Sequence, residues 1–155
     1  MVLGSNIVDD NKPEKAEKYL RLAINQFNKL NSPLLFTDAP YLFLQMAKAK
    51  TLLKSDSSQY YYDKVFELLS TYKRGPLEYA WYYIEKGKDF LSKHQNDSAS
   101  YYISKAKLLK NDQHLGLTSP WGELTPGYYA ADLALRQNNP QLAIQLLQPE
   151  IQELR

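Results

Sequence analysis

Prolines divide this chain of 155 residues into segments of helical length. Proline fits the first turn of a helix, because the N–H it lacks would have no partner there. Five of the eight prolines stand where a helix would begin: Pro13, Pro40, Pro76, Pro126 and Pro140. With the apolar pattern between them, they predict seven helices, at residues 13–30, 40–54, 57–73, 76–93, 97–110, 126–137 and 140–153.

The spacing of apolar residues inside these segments is also typical of helices. In the fourth segment Ala80, Tyr83, Ile84 and Gly87 recur at intervals of three and four, and no segment shows sustained alternation of period two. Most connections are short, which makes neighbouring helices antiparallel. We therefore expect an all-α fold, in which Pro149 kinks or ends the last helix.

Composition indicates an ordinary globular chain. Its residues are 44% hydrophobic and 23% charged, which suits one domain over residues 1–155 that needs no disulfide. A net charge of +2 gives no strong field for nucleic acid, and the absence of cysteine excludes thiolate chemistry. No signal peptide or apolar run of membrane-spanning length is present, so we expect no membrane insertion and take the cytoplasm as the default location.

Small residues recur at a fixed spacing in two parts of the chain. Gly87 precedes Ala99 by twelve residues, and Ala131 precedes Ala143 by the same twelve. This spacing resembles the tetratricopeptide repeat, a helical hairpin in which a small residue of the first helix lets the second approach closely. The resemblance implies a short right-handed superhelix of stacked antiparallel hairpins.

The first predicted helix resembles the second helix of such a repeat. The segments "NKPEKAEKYL" and "NNPQLAIQLL" share an Asn, a Pro and an Ala at the same spacing, which places Ala16, Leu20 and Ala23 at the positions of a second helix. Its missing partner predicts that the chain is a fragment of a longer protein, or that another chain covers this helix. Self-association through the uncovered helix is one form of that expectation.

The resemblance also implies a binding groove, because first helices line the concave face of such superhelices. The residues it exposes there are Trp81, Ile84, Glu85 and Lys88 of one repeat and Tyr128, Tyr129, Asp132 and Arg136 of the last. Aromatic anchors among single charges suit an extended peptide or a partner helix. The leading expectation is therefore a non-catalytic scaffold that binds a protein or peptide.

Tyrosine clusters are the most unusual feature of the composition. Adjacent residues on a helix point about 100° apart, so each cluster must divide between the core and the surface. We assign Tyr83, Tyr102 and one of Tyr60 to Tyr62 to the core. Stacked sugars would also suit exposed rings, although nothing in the sequence selects them.

Residues for catalysis or metal binding are few. His94 and His114 lie in polar helix ends or loops, and pairing them with Asp97 and Asp112 gives two metal ligands but no third at a recognised spacing. We predict no catalytic residue, no metal site and no cofactor. An enzyme would require the loop at residues 111–125 to meet His94 and a carboxylate in one pocket.

The alternative function is a regulatory or sensor domain of a larger signalling, transcriptional or membrane-associated protein. Such a domain should close a deep pocket around Trp81 and Trp121, whereas a peptide receptor should leave an open groove. The basic run Lys105, Lys107 and Lys110 is interrupted at helical spacing, which is typical of the solvated face of a packed helix.

Overall fold

The computed structural model describes residues 12–29, 39–113, 118–119, 122–123 and 125–153, and these form seven helices. The helices are α1 (Pro13–Lys29), α2 (Ala39–Leu52), α3 (Ser58–Thr71), α4 (Pro76–Ser92), α5 (Asn96–Asp112), α6 (Pro126–Arg136) and α7 (Pro140–Glu153). Each end lies within two residues of its prediction, so the all-α class is confirmed.

Two short strands interrupt the helical order between α5 and α6. They are β1 (Thr118–Ser119) and β2 (Gly122–Glu123), which pair antiparallel with Thr118 opposite Glu123. None of the described helices is long and apolar enough to cross a lipid bilayer.

Four helices are followed by a residue in the left-handed region, where the chain turns out of the helix. After α4, the Gln95 N–H donates to the Phe90 carbonyl at 2.9 Å and the His94 N–H donates to the Leu91 carbonyl at 3.1 Å. These bonds satisfy carbonyl groups that would otherwise lack a helical partner. The left-handed residues have φ of 48° to 58° and are Lys54, Lys73, His94 and Asn138.

The last helix continues through its internal proline to its predicted last residue, so Pro149 does not end it. Pro149 lies inside α7, which runs on to Glu153. Proline lacks the N–H for one helical hydrogen bond and its ring crowds the carbonyl four residues earlier, but the other helical bonds can still form. A proline this close to the end of a helix therefore does not have to terminate it.

The chain divides into two compact units, Met1–Arg74 and Gly75–Arg155. In the first unit α2 packs against both α1 and α3 and is buried from Ala39 to Ala47. The Phe43 ring lies 6.1 Å from that of Phe27 in α1 and 6.5 Å from that of Tyr61 in α3. An aromatic contact on each side thus joins α2 to its neighbours.

In the second unit each helix packs against the next one in sequence, and α4 also reaches α6. One core cluster comprises Leu91, Ala99, Ile103 and Leu133, with Phe90, Tyr129 and Ala130 packed against it. A second cluster joins α6 to α7 through Ala131, Ala134 and Ala143, with Leu146 and Leu147 beside it. The small residues identified by their twelve-residue spacing therefore lie at helix contacts, where they allow close packing.

Candidate functional site

Three of the four residues that we expected α4 to expose are buried, which corrects the prediction. Trp81 is 6% exposed, Ile84 is 1% exposed and Glu85 is 3% exposed, whereas 34% of the Lys88 side chain remains accessible. Lys88 alone among them can meet a partner directly.

The reason lies in the width of the apolar arc on α4. Ala80, Trp81, Tyr82, Ile84 and Leu91 are all buried, and at 100° per residue they span roughly 200° of the helical wheel. A surface helix buries a narrower stripe, and a helix that is apolar over most of its circumference belongs in the interior. The resemblance to a repeat indicated which positions of α4 should line a groove. It did not take into account that the apolar arc of α4 is wide enough to bury most of them.

The residues predicted on α6 are accessible, and two of them contact α4. Tyr128, Tyr129 and Asp132 are half-buried and Arg136 is exposed. The Lys88 ammonium lies 5.1 Å from the centre of the Tyr129 ring, within the range of a cation–π interaction. We call Lys88, Tyr128, Tyr129, Asp132 and Arg136 the α4–α6 strip.

Both cations of the α4–α6 strip are held by neighbouring groups. Lys88 Nζ donates to Glu85 Oε1 at 3.4 Å. Arg136 donates through Nε to Asp132 Oδ2 at 3.2 Å and through Nη1 to the Leu91 carbonyl at 3.3 Å. The second of these bonds links the end of α6 to α4. Each cation of the strip thus has at least one partner within the protein.

Lys88 keeps its charge although much of its side chain is covered. Burial by itself would lower the pKa of the Lys88 ammonium. The Glu85 carboxylate and the Tyr129 hydroxyl outweigh this effect and raise the pKa above its ordinary value. The buried Glu85 carboxylate thus stabilises the charged form of Lys88 at the surface of the strip.

Other buried charges on α4 and α5 also have partners. Asp89 is fully buried and accepts a hydrogen bond from Lys93 at 2.8 Å. Buried Lys86 lies 3.2 Å from the Tyr82 hydroxyl. Lys110 is buried as well, so the prediction that Lys105, Lys107 and Lys110 form one solvated face is wrong. Asp89 and Lys86 are therefore engaged by neighbouring side chains within the protein.

Tyrosines of the clusters divide between core and surface, as the 100° spacing predicts. Tyr62 is buried in the core while Tyr60 is exposed, which confirms the division for that cluster. Tyr83 and Tyr102, which we assigned to the core, are half-buried. They lie at the edge of the α4–α5 hairpin, where their rings stack at 6.2 Å between centres.

A cation lies between two of these surface rings, which the sequence analysis missed. The Lys105 ammonium is 5.2 Å from the centre of the Tyr83 ring and 4.6 Å from that of Tyr101. The spacing of four residues between Tyr101 and Lys105 was the available signal, because such residues are neighbours on a helix surface.

The candidate catalytic and metal-binding residues do not form a constellation in the described part of the chain. Exposed His94 and Asp97 line a cleft of about 410 Å³ at the start of α5, together with Gln95, Asn96 and Ser98. No group of three His, Cys, Asp or Glu side chains able to hold a metal ion occurs among the described residues. His114 and Trp121 lie outside the described residues.

Comparisons with known proteins give no relative from which a function could be transferred. Neither protein-family models, nor curated proteins, nor solved structures match the chain. A function for this chain therefore has to be inferred from the geometry of the site.

Proposed function

We propose that the protein is a non-catalytic binding module whose α4–α6 strip recognises a peptide or a segment of a partner protein. The observation that carries the proposal is the contact between Lys88 and Tyr129, because it combines side chains of successive hairpins into one accessible surface. We further propose that the hairpins stack in the right-handed manner of tetratricopeptide repeats. The small residues buried between their helices support this arrangement.

The chemistry of the strip suits a peptide. It offers the rings of Tyr128 and Tyr129, the cations of Lys88 and Arg136 and the carboxylate of Asp132 within two neighbouring helices. Aromatic and arginine side chains are the residue types that contribute most to protein interfaces. Separated charges of both signs would fix the register and direction of a bound chain.

The internal bonds of the strip favour binding further. Lys88 and Arg136 are long side chains, and ordering such a side chain at an interface costs about 0.5–1.5 kcal/mol. Here Glu85 and Asp132 already restrict the two cations. Less entropy remains to be lost when a partner docks. In this proposal Trp81, Ile84 and Glu85 support the surface and do not touch the partner.

Selection from a displayed library of random twelve-residue peptides tests this function. We expect the wild-type protein to enrich peptides with a shared sequence pattern, and the Tyr128→Ser variant to lose affinity for them by about tenfold, as for loss of one aromatic anchor. The matched control is Tyr60→Ser, the same change at an exposed tyrosine of α3. Circular dichroism must show that all three proteins are equally helical.

The control decides between specific and general effects of losing a tyrosine. Unchanged affinity in Tyr60→Ser and reduced affinity in Tyr128→Ser would support the strip as the binding surface. Equal affinity of all three proteins for the selected peptides would reject it.

A further inference from the structure

The outer edge of the α4–α5 hairpin carries a second surface with its own chemistry, separate from the α4–α6 strip. It consists of Tyr83, Tyr101, Tyr102, Lys105 and Leu108, which we call the tyrosine–lysine patch. Tyr101, Lys105 and Leu108 follow one another at intervals of four and three, so they lie on one side of α5. Tyr101 is 55% exposed and Leu108 is 59% exposed. The patch is therefore accessible at both ends of this row.

Lys105 is the charged centre of the patch and is not neutralised. No carboxylate of the described residues forms an ion pair with its ammonium, in contrast to Lys88 and Lys93. Its neighbours are the Tyr83 and Tyr101 rings. A hydrogen bond with the Tyr101 hydroxyl raises the pKa of Lys105, so the side chain is charged at neutral pH. A positive charge held in this way is complementary to a carboxylate.

The arrangement of the rings argues against a stacked sugar. The Lys105 ammonium covers a face of Tyr83 and a face of Tyr101. Tyr102 stacks on Tyr83 and on Phe90, with ring centres 6.2 Å and 5.5 Å apart. A stacked sugar needs a platform of open ring faces, whereas Tyr83 and Tyr102 stack within the patch and only Tyr101 is largely exposed. The ammonium, the Tyr101 side chain and the Leu108 side chain remain for a ligand.

We propose that the tyrosine–lysine patch binds an acidic segment of a partner protein, which sets a Glu or Asp carboxylate on Lys105 and an adjacent apolar side chain on Leu108. Two features favour this ligand: a cation held by tyrosines that has no ion pair among the described residues, and an exposed leucine one helical turn away. The Lys105 contact would add direction and charge selectivity to the apolar contact at Leu108, since an exposed ion pair contributes modestly to affinity.

Binding of three fluorescently labelled twelve-residue peptides to the whole chain, measured by anisotropy, tests the proposal. One peptide combines Glu with Leu, one combines the same number of Glu with Ser, and one combines Lys with Leu. We expect the Glu–Leu peptide to bind at least about fivefold more tightly than either other peptide, because it alone provides both charge and apolar contact. Added salt should weaken its binding, since the Lys105 contact is solvent-exposed.

Variants of α5 provide the matched comparison. Lys105→Gln should weaken Glu–Leu binding by about three- to fivefold, as for loss of one solvent-exposed ion pair. Lys107→Gln makes the same change on the opposite side of α5 and should leave binding within about twofold, as for an uninvolved surface charge. Lys105→Arg should retain most of the affinity, because arginine keeps the charge and stacks on aromatic rings.

Three results would overturn the proposal. Equal losses in Lys105→Gln and Lys107→Gln would show general electrostatic attraction. Equal binding of the Glu–Leu and Glu–Ser peptides would show that Leu108 takes no part in binding. Failure of the wild-type protein to bind the Glu–Leu peptide would show that the patch is not a site for acidic segments. Tyr128→Ser leaves the patch intact, so retained Glu–Leu binding in that variant separates this surface from the α4–α6 strip.

Discussion

A Cβ atom added to Gly87 would lie 2.8 Å from Cγ1 of Ile103, a distance that real Cβ atoms essentially never show. The α4 backbone therefore approaches a buried side chain of α5 as closely as glycine alone permits. This contact closes the hairpin that carries Lys88 on one side and the tyrosine–lysine patch on the other. The geometry of both proposed surfaces depends on it.

Replacing Gly87 by alanine should destabilise the protein. In an open helix the change would stabilise by roughly 0.5–1 kcal/mol, because alanine loses less backbone entropy. Here the added methyl group meets Ile103 in a packed core, where insertion of a methyl typically costs about 1–3 kcal/mol. Urea unfolding of wild type and Gly87→Ala measures the difference.

The source of that cost can be isolated with a double-mutant cycle. Ile103→Ala removes the atom that the new methyl group would meet, so the two losses in unfolding free energy should be less than additive. Strict additivity, or a more stable Gly87→Ala protein, would show that the hairpin is not closed at this contact.

Gln45 should be replaceable by an apolar residue with a gain in stability. It is 2% exposed in α2, and its Oε1 atom has no hydrogen-bond partner among the described residues. A buried polar atom without a partner costs about 1–3 kcal/mol. We expect Gln45→Met, a change to an apolar chain of similar length, to raise the unfolding free energy by about 1 kcal/mol. Lower stability in thermal unfolding would mean that the amide has a partner in solution, such as a bound water.

The ion pairs of Glu17 should make the free energy of unfolding depend on pH. Glu17 accepts a hydrogen bond from Lys50 at 2.6 Å and another from Arg21. These bonds hold the pKa of its carboxyl below the ordinary value. The Glu17 carboxyl then binds a proton less readily in the folded state than in the unfolded state. The contribution of its ion pairs to the free energy of unfolding is therefore complete above the ordinary carboxyl pKa of about 4.3. It disappears as pH falls through the lower pKa of the folded state.

Glu17→Gln tests this sign. Because the pair is partly exposed, we expect a loss of about 0.5–1 kcal/mol at pH 7 that becomes smaller at an acidic pH below the ordinary carboxyl pKa. Glu14→Gln, on the first turn of the same helix, is the control for a change of charge alone. Unfolding curves at both pH values give the comparison, and an equal loss at neutral and acidic pH would contradict the assignment.

Pro149→Ala should strengthen the last helix. The substitution supplies the missing N–H and removes the ring from an otherwise regular turn of α7. Proline costs about 3 kcal/mol in a helix interior, and we expect about 1 kcal/mol here because the position is close to the helix end. Increased ellipticity in the far ultraviolet and a higher melting temperature are the expected signals. Unchanged helicity would show that α7 ends before Pro149 in solution.

Helix positions were predictable because their signals are local. Prolines fit first turns, and the twelve-residue interval from Gly87 to Ala99 marks where two helices of a hairpin touch. The ends of the described helices depend on such short-range features. The sequence left open whether Pro149 kinks or ends the last helix, because the effect of a proline depends on its position within the helix.

The candidate site was harder to predict because burial depends on packing between elements. Trp81 and Ile84 satisfy the spacing of a groove-lining face, yet the apolar arc of α4 is too wide to leave them at the surface. The approach of Lys88 to Tyr129, which lie far apart in the sequence, needs the packing of α4 on α6. The position of Lys105 between Tyr83 and Tyr101 likewise needs two helices in register.

The most direct test of the central claim is an amide NMR titration of the labelled protein with the peptide that the display selection enriches. We predict that the largest shift changes fall on Lys88 and on the part of α6 that contains Tyr128, Tyr129 and Asp132. The same titration of Tyr128→Ser should show smaller changes at those amides for an equal peptide concentration. Changes confined to α1, α2 and α3, or none at saturating peptide, would contradict a binding surface formed by α4 and α6.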